Sequence, residues 1–138
     1  MTKERLRQYQ QLKREKDMLE EKLVELESAM TSPRIQKLDG MPQGQPQGGS
    51  LMDMLVEQHL TLKAMYANKL RELNDTLLDI ETAIEGLEDA TERNLMRLRY
   101  IDGLKWEELT IVIGYSWQQT HRIHARALEK LKGQEAET

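Results

Sequence analysis

Residues 106–123 read WEELTIVIGYSWQQTHRI, and their spacing is that of a helix-turn-helix. Two helices that cross steeply through a short turn need a glycine where the chain bends left-handed, and Gly114 stands at that position. Ser116, with Gln119 three residues later, fits a capping box at the start of the second helix. Apolar residues suited to the inner faces stand on both sides of the turn: Leu109, Ile113, Tyr115 and Ile123.

Two threonines depart from the usual pattern of this motif. Thr110 stands where the two helices approach most closely and alanine is usual. Thr120 occupies an inner position that more often holds Val or Ile. A three-helix packing module that never contacts DNA is therefore the alternative interpretation of the same stretch.

The motif extends into a predicted three-helix module over residues 88–132. Asp89 and Thr91 can cap its first helix, which Asp102 and Gly103 close. The predicted segments, in order, are helices over 92–101, about 105–113 and 116 to about 132, and a disordered tail over 133–138.

The remaining sequence predicts two long coiled-coil helices, over 1–30 and 51–87, in which apolar residues recur every seven positions in paired rows. The second helix is too long to be stable alone in water, so its rows must pack against the first helix, another copy of the chain, or both. We predict an all-α fold, with a long antiparallel helical hairpin, coiled-coil-like, followed by the C-terminal helix-turn-helix module. The predicted hairpin or oligomerisation residues are Leu12, Leu19, Leu23, Leu26, Leu70, Leu73, Leu77, Ile80 and Ile84.

A flexible linker is predicted between the two long helices, over residues 31–50. This stretch holds all three prolines and four of the eight glycines, and neither residue suits a helix interior. A connection of this kind lets the two helices run antiparallel.

Composition narrows the classes of protein that remain. Cysteine is absent, which excludes disulfides, thiolate metal sites and a cysteine nucleophile. No apolar run approaches the roughly 18 residues of a membrane span, and no secretory signal is expected, so a cytoplasmic location is predicted. The net charge of −4 is uneven, because residues 91–132 carry eight Lys/Arg against five Asp/Glu, whereas residues 51–90 carry three against nine. An acidic chain with a basic last segment is compatible with nucleic-acid binding.

Residues 99–132, RYIDGLKWEELTIVIGYSWQQTHRIHARALEKLK, resemble the fourth conserved region of sigma-70-type factors. Within that group the chain is most similar to small phage-encoded proteins of Gram-positive hosts and their prophages. These proteins combine an N-terminal helical region, a linker with SPR and DGMP (here at 32–34 and 39–42) and this terminal motif, so the resemblance covers nearly the whole chain. It implies a regulator of phage or prophage transcription, akin to the late activators, in the cytoplasm of a bacterial host.

The resemblance also implies that the last helix enters the major groove near the upstream element of a promoter. Side chains on the first two turns of such a helix face base edges, where Gln can pair with adenine and Arg with guanine. This chain departs from the family pattern at Ile123, where many sigma factors carry a basic residue that takes part in the contact set. The predicted base-reading residues are Trp117, Gln118, Gln119, His121 and Arg122, and the predicted phosphate contacts are Lys105, Arg126 and Lys130.

Structural roles are the alternatives for several of these residues. Gln119 can be occupied as the capping partner, and Trp117 can fold back over the turn. Trp106 is expected to pack on a neighbouring helix or on the helical stalk, and not on DNA. His121 and His124 lack a third ligand, so no metal is predicted.

The expected partners are double-stranded DNA, host RNA polymerase and further copies of the chain in a homodimer or higher oligomer, without a membrane or a cofactor. Two other functions fit the same pattern: a small terminase subunit in phage DNA packaging, and a protein that binds polymerase or a sigma factor without specific DNA contact. An enzyme is not expected. No helix carries a His-Glu-x-x-His pair, no acidic cluster stands on a plausible cleft, and the glycine-rich stretch GQPQGG lacks the lysine and strand of a phosphate-binding loop.

Overall fold

The computed structural model describes residues 1–33 and 50–137, which form helices and turns without a strand. This confirms the all-α prediction. Most of the predicted linker, residues 34–49, lies outside the described residues. None of the described helices is both long and apolar enough to cross a membrane. The helices are α1 (Lys3–Met30), α2 (Leu51–Glu85), α3 (Ala90–Met96, continued by a π-helical turn over Arg97–Ile101), α4 (Trp106–Ile113) and α5 (Trp117–Glu137).

Several helix ends differ from the prediction. The helix predicted over 92–101 begins at Ala90, so Asp89 is its N-cap and Thr91 lies in its first turn. The second long helix ends at Glu85, two residues before position 87. The last helix continues to Glu137, so residues 133–137, which were expected to belong to a disordered tail, are helical. Gly133 does not stop α5, because a glycine inside a helix weakens it by only about 1 kcal/mol.

The chain divides into two compact units. The first, which we call the terminal unit, comprises Met1–Lys13 together with Glu72–Thr138. The second, which we call the middle unit, comprises Arg14–Arg71.

One hydrophobic core fills the terminal unit. The predicted helix-turn-helix module does not have a core of its own, because α1 and α2 both contribute fully buried side chains to it. Each such aliphatic side chain stabilises the fold by about 1.5–3 kcal/mol relative to exposure. The core residues are Leu6, Tyr9, Ile80, Ile84, Leu87, Leu95, Met96, Tyr100, Leu109, Ile123, Ala127 and Leu131.

A glutamine of α1 holds the end of the π-helical turn. Gln10 Nε2 donates to the carbonyl oxygens of Tyr100 (3.0 Å) and Ile101 (2.8 Å), which a helix end leaves without intrahelical donors. Gly103 follows at φ +74°, and a Cβ built there would lie 3.0 Å from Gln10 Oε1. Glycine at 103 therefore permits both the left-handed bend and the approach of α1.

In the middle unit, α1 and α2 run antiparallel. Lys69 Nζ lies 2.8 Å from Glu15 Oε2, and His59 Nε2 lies 3.0 Å from Glu27 Oε1. Residues later in α1 thus pair with residues earlier in α2. These side chains connect the two helices on a partly buried surface.

The predicted apolar rows are buried to different degrees. Leu12, Leu23, Ile80 and Ile84 are buried, and Leu19, Leu26, Leu73 and Leu77 are partly buried. Leu70 is 40% exposed within the single chain, and the preceding Lys69 is partly buried. In the same way Thr76 is buried beside Leu77, and its hydroxyl donates to the Glu72 carbonyl at 2.8 Å. The buried face of α2 therefore extends to Lys69 and Thr76 beside the predicted rows, while Ile80 and Ile84 of those rows are fully buried.

Candidate nucleic-acid interface

The turn between α4 and α5 has the predicted geometry. Gly114 adopts φ 80° and ψ 19°, and its N–H donates to the Thr110 carbonyl at 2.9 Å, which closes α4. Ser116 Oγ then accepts from the Gln119 N–H at 3.1 Å and caps the first turn of α5. Both features are local, since each depends on residues within four positions.

The two unusual threonines satisfy their own hydroxyl groups. Thr110 Oγ1 donates to the Glu107 carbonyl at 2.8 Å, within α4. Thr120 is fully buried, and its Oγ1 donates to the Ser116 carbonyl at 2.7 Å. Threonine can therefore stand at both inner positions without an unpaired buried hydroxyl.

Burial divides α5 into an inner and an outer face. Thr120, Ile123, His124, Ala127 and Leu131 are buried. On the opposite side, exposed residues follow one another at intervals of four, three and four positions, which places them in a straight line along the helix. We call this line the outer row: Gln118, Arg122, Ala125 and Glu129.

On one side of the outer row, an open cleft of about 640 Å³ lies between α5 and the start of α3. Arg122 and Arg126 supply its positive charge. Asp89 contributes a carboxylate that caps α3 by accepting from the N–H groups of Thr91 (2.7 Å) and Glu92 (3.3 Å). These backbone hydrogen bonds hold the pKa of Asp89 below its ordinary value, and the charges of Lys130 and Arg126 act in the same direction. The residues that line the cleft are Asp89, Thr91, Tyr115, Gln119, Arg122, Ile123, Ala125 and Arg126.

On the other side of the outer row, aromatic rings surround His121. Its ring centroid lies 4.1 Å from that of Trp106 in a stacked arrangement and 4.7 Å from that of Trp117. The Nε2 atom of His121 is buried and has no hydrogen-bond partner among the described residues. His121 was expected to read a base, but its ring is held between two indoles and that nitrogen does not reach the surface. Trp106 packs on α5, as expected, and Trp117 remains 50% exposed.

The buried end of this aromatic cluster holds His124 as a neutral ring. His124 Nε2 and the Tyr100 hydroxyl are 2.6 Å apart and share a hydrogen bond. Burial lowers the pKa of His124 to about 4, and the electrostatic influence of Lys3, His121, Arg99 and Arg7 lowers it further. Burial also raises the pKa of Tyr100, so the phenol keeps its proton.

Lys130, one of the predicted phosphate contacts, has a partner within the fold. Its ammonium lies 2.9 Å from both carboxylate oxygens of Glu92, a residue that is 1% exposed. A buried carboxylate needs a compensating charge, and Lys130 supplies it. Of the other predicted phosphate contacts, Lys105 is exposed at the start of α4 and Arg126 is exposed beside the cleft.

Several cations between residues 91 and 132 hold the fold together. Arg93 donates to the carbonyls of Leu87 (2.7 Å) and Glu88 (2.9 Å) beyond the end of α2. Arg97 binds two glutamates of α2, and Arg99 donates to the Leu104 carbonyl at 2.7 Å while lying over the Trp106 ring. Together with Lys130, these account for half of the eight cations in the segment. The exposed cations on the first three turns of α5 are Arg122 and Arg126.

Two exposed features were missed by the sequence analysis. Ala125 lies on the outer row, seven residues after Gln118, whereas Ala127 is buried. The outer face of α4 carries two acids and two exposed aliphatic side chains, with Ile111 81% exposed. That face comprises Glu107, Glu108, Ile111 and Val112.

The outer side of α5 offers hydrogen-bonding and cationic side chains. No group of three or more His, Cys, Asp or Glu residues in the described part of the chain could hold a metal ion.

The chain matches no protein-family model, no curated protein and no solved structure. The resemblance to sigma-type factors therefore depends on the motifs of the sequence.

Proposed function

We propose that this protein is a sequence-specific DNA-binding regulator of transcription, with a helix-turn-helix similar to the fourth region of sigma-70-type factors. One observation carries the proposal: a left-handed glycine turn leads into a capped helix whose outer row begins with Gln118 and Arg122, both exposed. The major groove of B-DNA admits one helix, and these two side chains have the donors and acceptors that distinguish base pairs.

The exposed cations beside the outer row fit the phosphate backbone. Arg126 lies one turn beyond Arg122 on the cleft side, and Lys105 is exposed at the start of α4. Glu129, the next member of the row, carries a negative charge that repels phosphate. We therefore assign DNA contact to the first three turns of α5, with Trp117 and Gln119 at the edges of the contact.

A binding selection tests the proposal directly. Full-length protein is used to enrich duplexes from a random pool, and affinity for the enriched duplex is measured by fluorescence anisotropy. Arg122→Ala is expected to weaken binding about 5- to 150-fold, since an Arg–guanine pair contributes about 1–3 kcal/mol of discrimination.

Arg71→Ala is the matched control for this test, because it removes an exposed arginine from the middle unit. It is expected to change the affinity less than twofold. A wild-type protein that enriches no sequence, or equal losses in the two variants, would contradict specific DNA binding.

The regulatory role is supported by the phage-type resemblance and is tested in a cell that carries the protein's own phage or prophage. DNA crosslinked to the tagged protein is expected to peak just upstream of a phage promoter, and Arg122→Ala is expected to remove the peak. A peak at the packaging start, away from any promoter, would favour the small-terminase alternative instead.

A second candidate function is binding to another protein, and the outer face of α4 favours it. Exposed Ile111 and Val112 lie beside two glutamates, which suits a protein surface that is both apolar and basic better than a phosphate backbone. An Ile111→Ser, Val112→Ser variant is expected to keep its DNA affinity within twofold and to activate a reporter less strongly. Full reporter activity in this variant would count against the second function.

A further inference from the structure

The outer row contains one apolar side chain at the depth where a base would be read. Ala125 stands three positions after Arg122 and seven after Gln118, is exposed, and lines the cleft that Arg122 and Arg126 border. Its side chain is a single methyl group. At about 1.5 Å per residue, the distance along the helix from Gln118 to Ala125 is about 10 Å, or roughly three base-pair steps of 3.4 Å.

The small size of Ala125 determines how close α5 comes to the base edge beneath it. The Cα–Cβ bonds of a helix tilt toward its N-terminus, so the methyl group of Ala125 points toward the turn that carries Arg122. A long side chain there would hold the helix away from the groove floor. Alanine allows the backbone to approach until the methyl group itself touches a base.

The chemistry of this contact selects one base. Adenine, guanine and cytosine present hydrogen-bonding groups to the major groove, which a methyl group leaves without a partner, whereas thymine also presents its C5-methyl group. We propose that Ala125 determines specificity by packing against the C5-methyl group of a thymine, about three base-pair steps from the base contacted by Gln118. This inference rests on the proposed DNA-binding function and adds one base preference to it.

Uracil provides the probe, because a thymine-to-uracil replacement removes the C5-methyl group and keeps every hydrogen-bonding group. Each thymine of the selected duplex is replaced in turn, and affinity for the full-length protein is measured by fluorescence anisotropy. One replacement is expected to weaken binding about fourfold, which is the effect of losing one buried methyl group. The other thymine-to-uracil replacements are expected to change the affinity less than twofold.

The same replacement is then measured with Ala125→Gly and Ala125→Ser. Glycine removes the contacting methyl group, and serine places a hydroxyl against thymine while keeping the helix more stable than glycine does. In both variants the sensitive replacement is expected to change the affinity less than twofold. Because each variant is compared with itself on two duplexes, a partial loss of folded protein affects both measurements equally.

Two outcomes would overturn the inference. In the first, no thymine-to-uracil replacement weakens binding by the wild-type protein. In the second, the sensitive replacement still weakens binding about fourfold in both Ala125 variants. Neither outcome resembles a failure of the proposed function, which would appear earlier as the absence of any enriched duplex.

Discussion

The carboxylate of Glu92 is 1% exposed, and the ammonium of Lys130 is its charged partner, with a side chain 51% exposed. In the sequence, Lys130 is one of several cations on the last helix, and nothing in its neighbours along the chain indicates a partner 38 positions earlier. The pairing depends on how α3 and α5 pack. The same is true of His121, whose ring is enclosed by Trp106 from another helix.

Removal of Lys130 should therefore lower stability. We expect Lys130→Ala to reduce the free energy of unfolding by about 1–3 kcal/mol, near the lower end because solvent screens the half-exposed ammonium. Lys132→Ala is the control two residues away, since its ammonium lies 3.9 Å from a carboxylate oxygen of the exposed Glu129; its effect should be within about 0.5 kcal/mol. Urea unfolding measures both variants, and equal effects would contradict the structural role of Lys130.

His124 should make stability depend on pH. Its pKa in the folded protein is about 4, below the ordinary value of 6.5, so the unfolded chain binds the additional proton between these two values. The contribution of neutral His124 to the free energy of unfolding is then fully present above pH 6.5. It decreases by on the order of 3 kcal/mol as the pH falls toward 4.

Urea unfolding at intervals from pH 4 to pH 7 measures this dependence, with His124→Gln as the comparison. Glutamine retains a polar group next to Tyr100 and does not titrate in this range. The variant should therefore lose most of the slope. An equal slope in the two proteins would assign the dependence to other groups.

At the scale of elements, the turn between α4 and α5 depends on the conformation of one glycine. A Cβ at Gly114 would meet nothing within 4 Å, so the effect of Gly114→Ala comes from the backbone angle alone. At φ +80° an alanine is strained, and we expect a loss of about 1–2 kcal/mol.

Gly133→Ala is the matched control on α5. Gly133 also has nothing within 4 Å of a built Cβ, but its backbone is helical. Alanine there should stabilise the protein by up to about 1 kcal/mol. Thermal unfolding of the two variants should therefore shift in opposite directions, and a shift of the same sign would contradict this explanation of the turn.

The long helices show where periodicity ceases to be informative. On α2, the row of Tyr66, Leu73 and Ile80 has neighbouring positions on both sides. The buried face can include the side that holds Leu70 or the side that holds Lys69. Both choices satisfy a seven-residue repeat, and apolar composition favours Leu70. The folded chain buries more of Lys69, because the direction of approach of the partner helix selects the flank, and Lys69 finds Glu15 there.

At the scale of the whole molecule, the terminal unit joins the two ends of the sequence in one core. Leu6, fully buried, belongs to the same cluster as Leu109 of α4 and Ile123 of α5. Leu6→Ala should therefore lower the stability of the terminal unit by about 2–5 kcal/mol, as expected for a buried leucine.

Fluorescence of Trp106 and Trp117 reports this unfolding, since both tryptophans of the chain belong to the terminal unit. Val24→Ala, at an exposed position of the same helix, should change stability by about 0.5 kcal/mol or less. If Leu6→Ala had no greater effect than Val24→Ala on the tryptophan transition, the shared core would be contradicted.

The sequence by itself determined the helical class, the position of the α4–α5 turn and the caps at Asp89 and Ser116. Each of these depends on interactions within a few residues, such as a side-chain oxygen and the backbone N–H two or three positions later. The choice of Gln118 and Arg122 as exposed polar residues also follows from helical periodicity, because the apolar positions of α5 define the opposite face.

Only the tertiary structure decided which residues share the core and which cations are occupied. Leu6 with Leu109, Lys130 with Glu92 and His121 with Trp106 are distant in sequence, and each pair meets only after the helices pack. Packing depends on the direction and rotation of whole helices, and a periodic pattern leaves these undetermined because neighbouring faces satisfy it almost equally well.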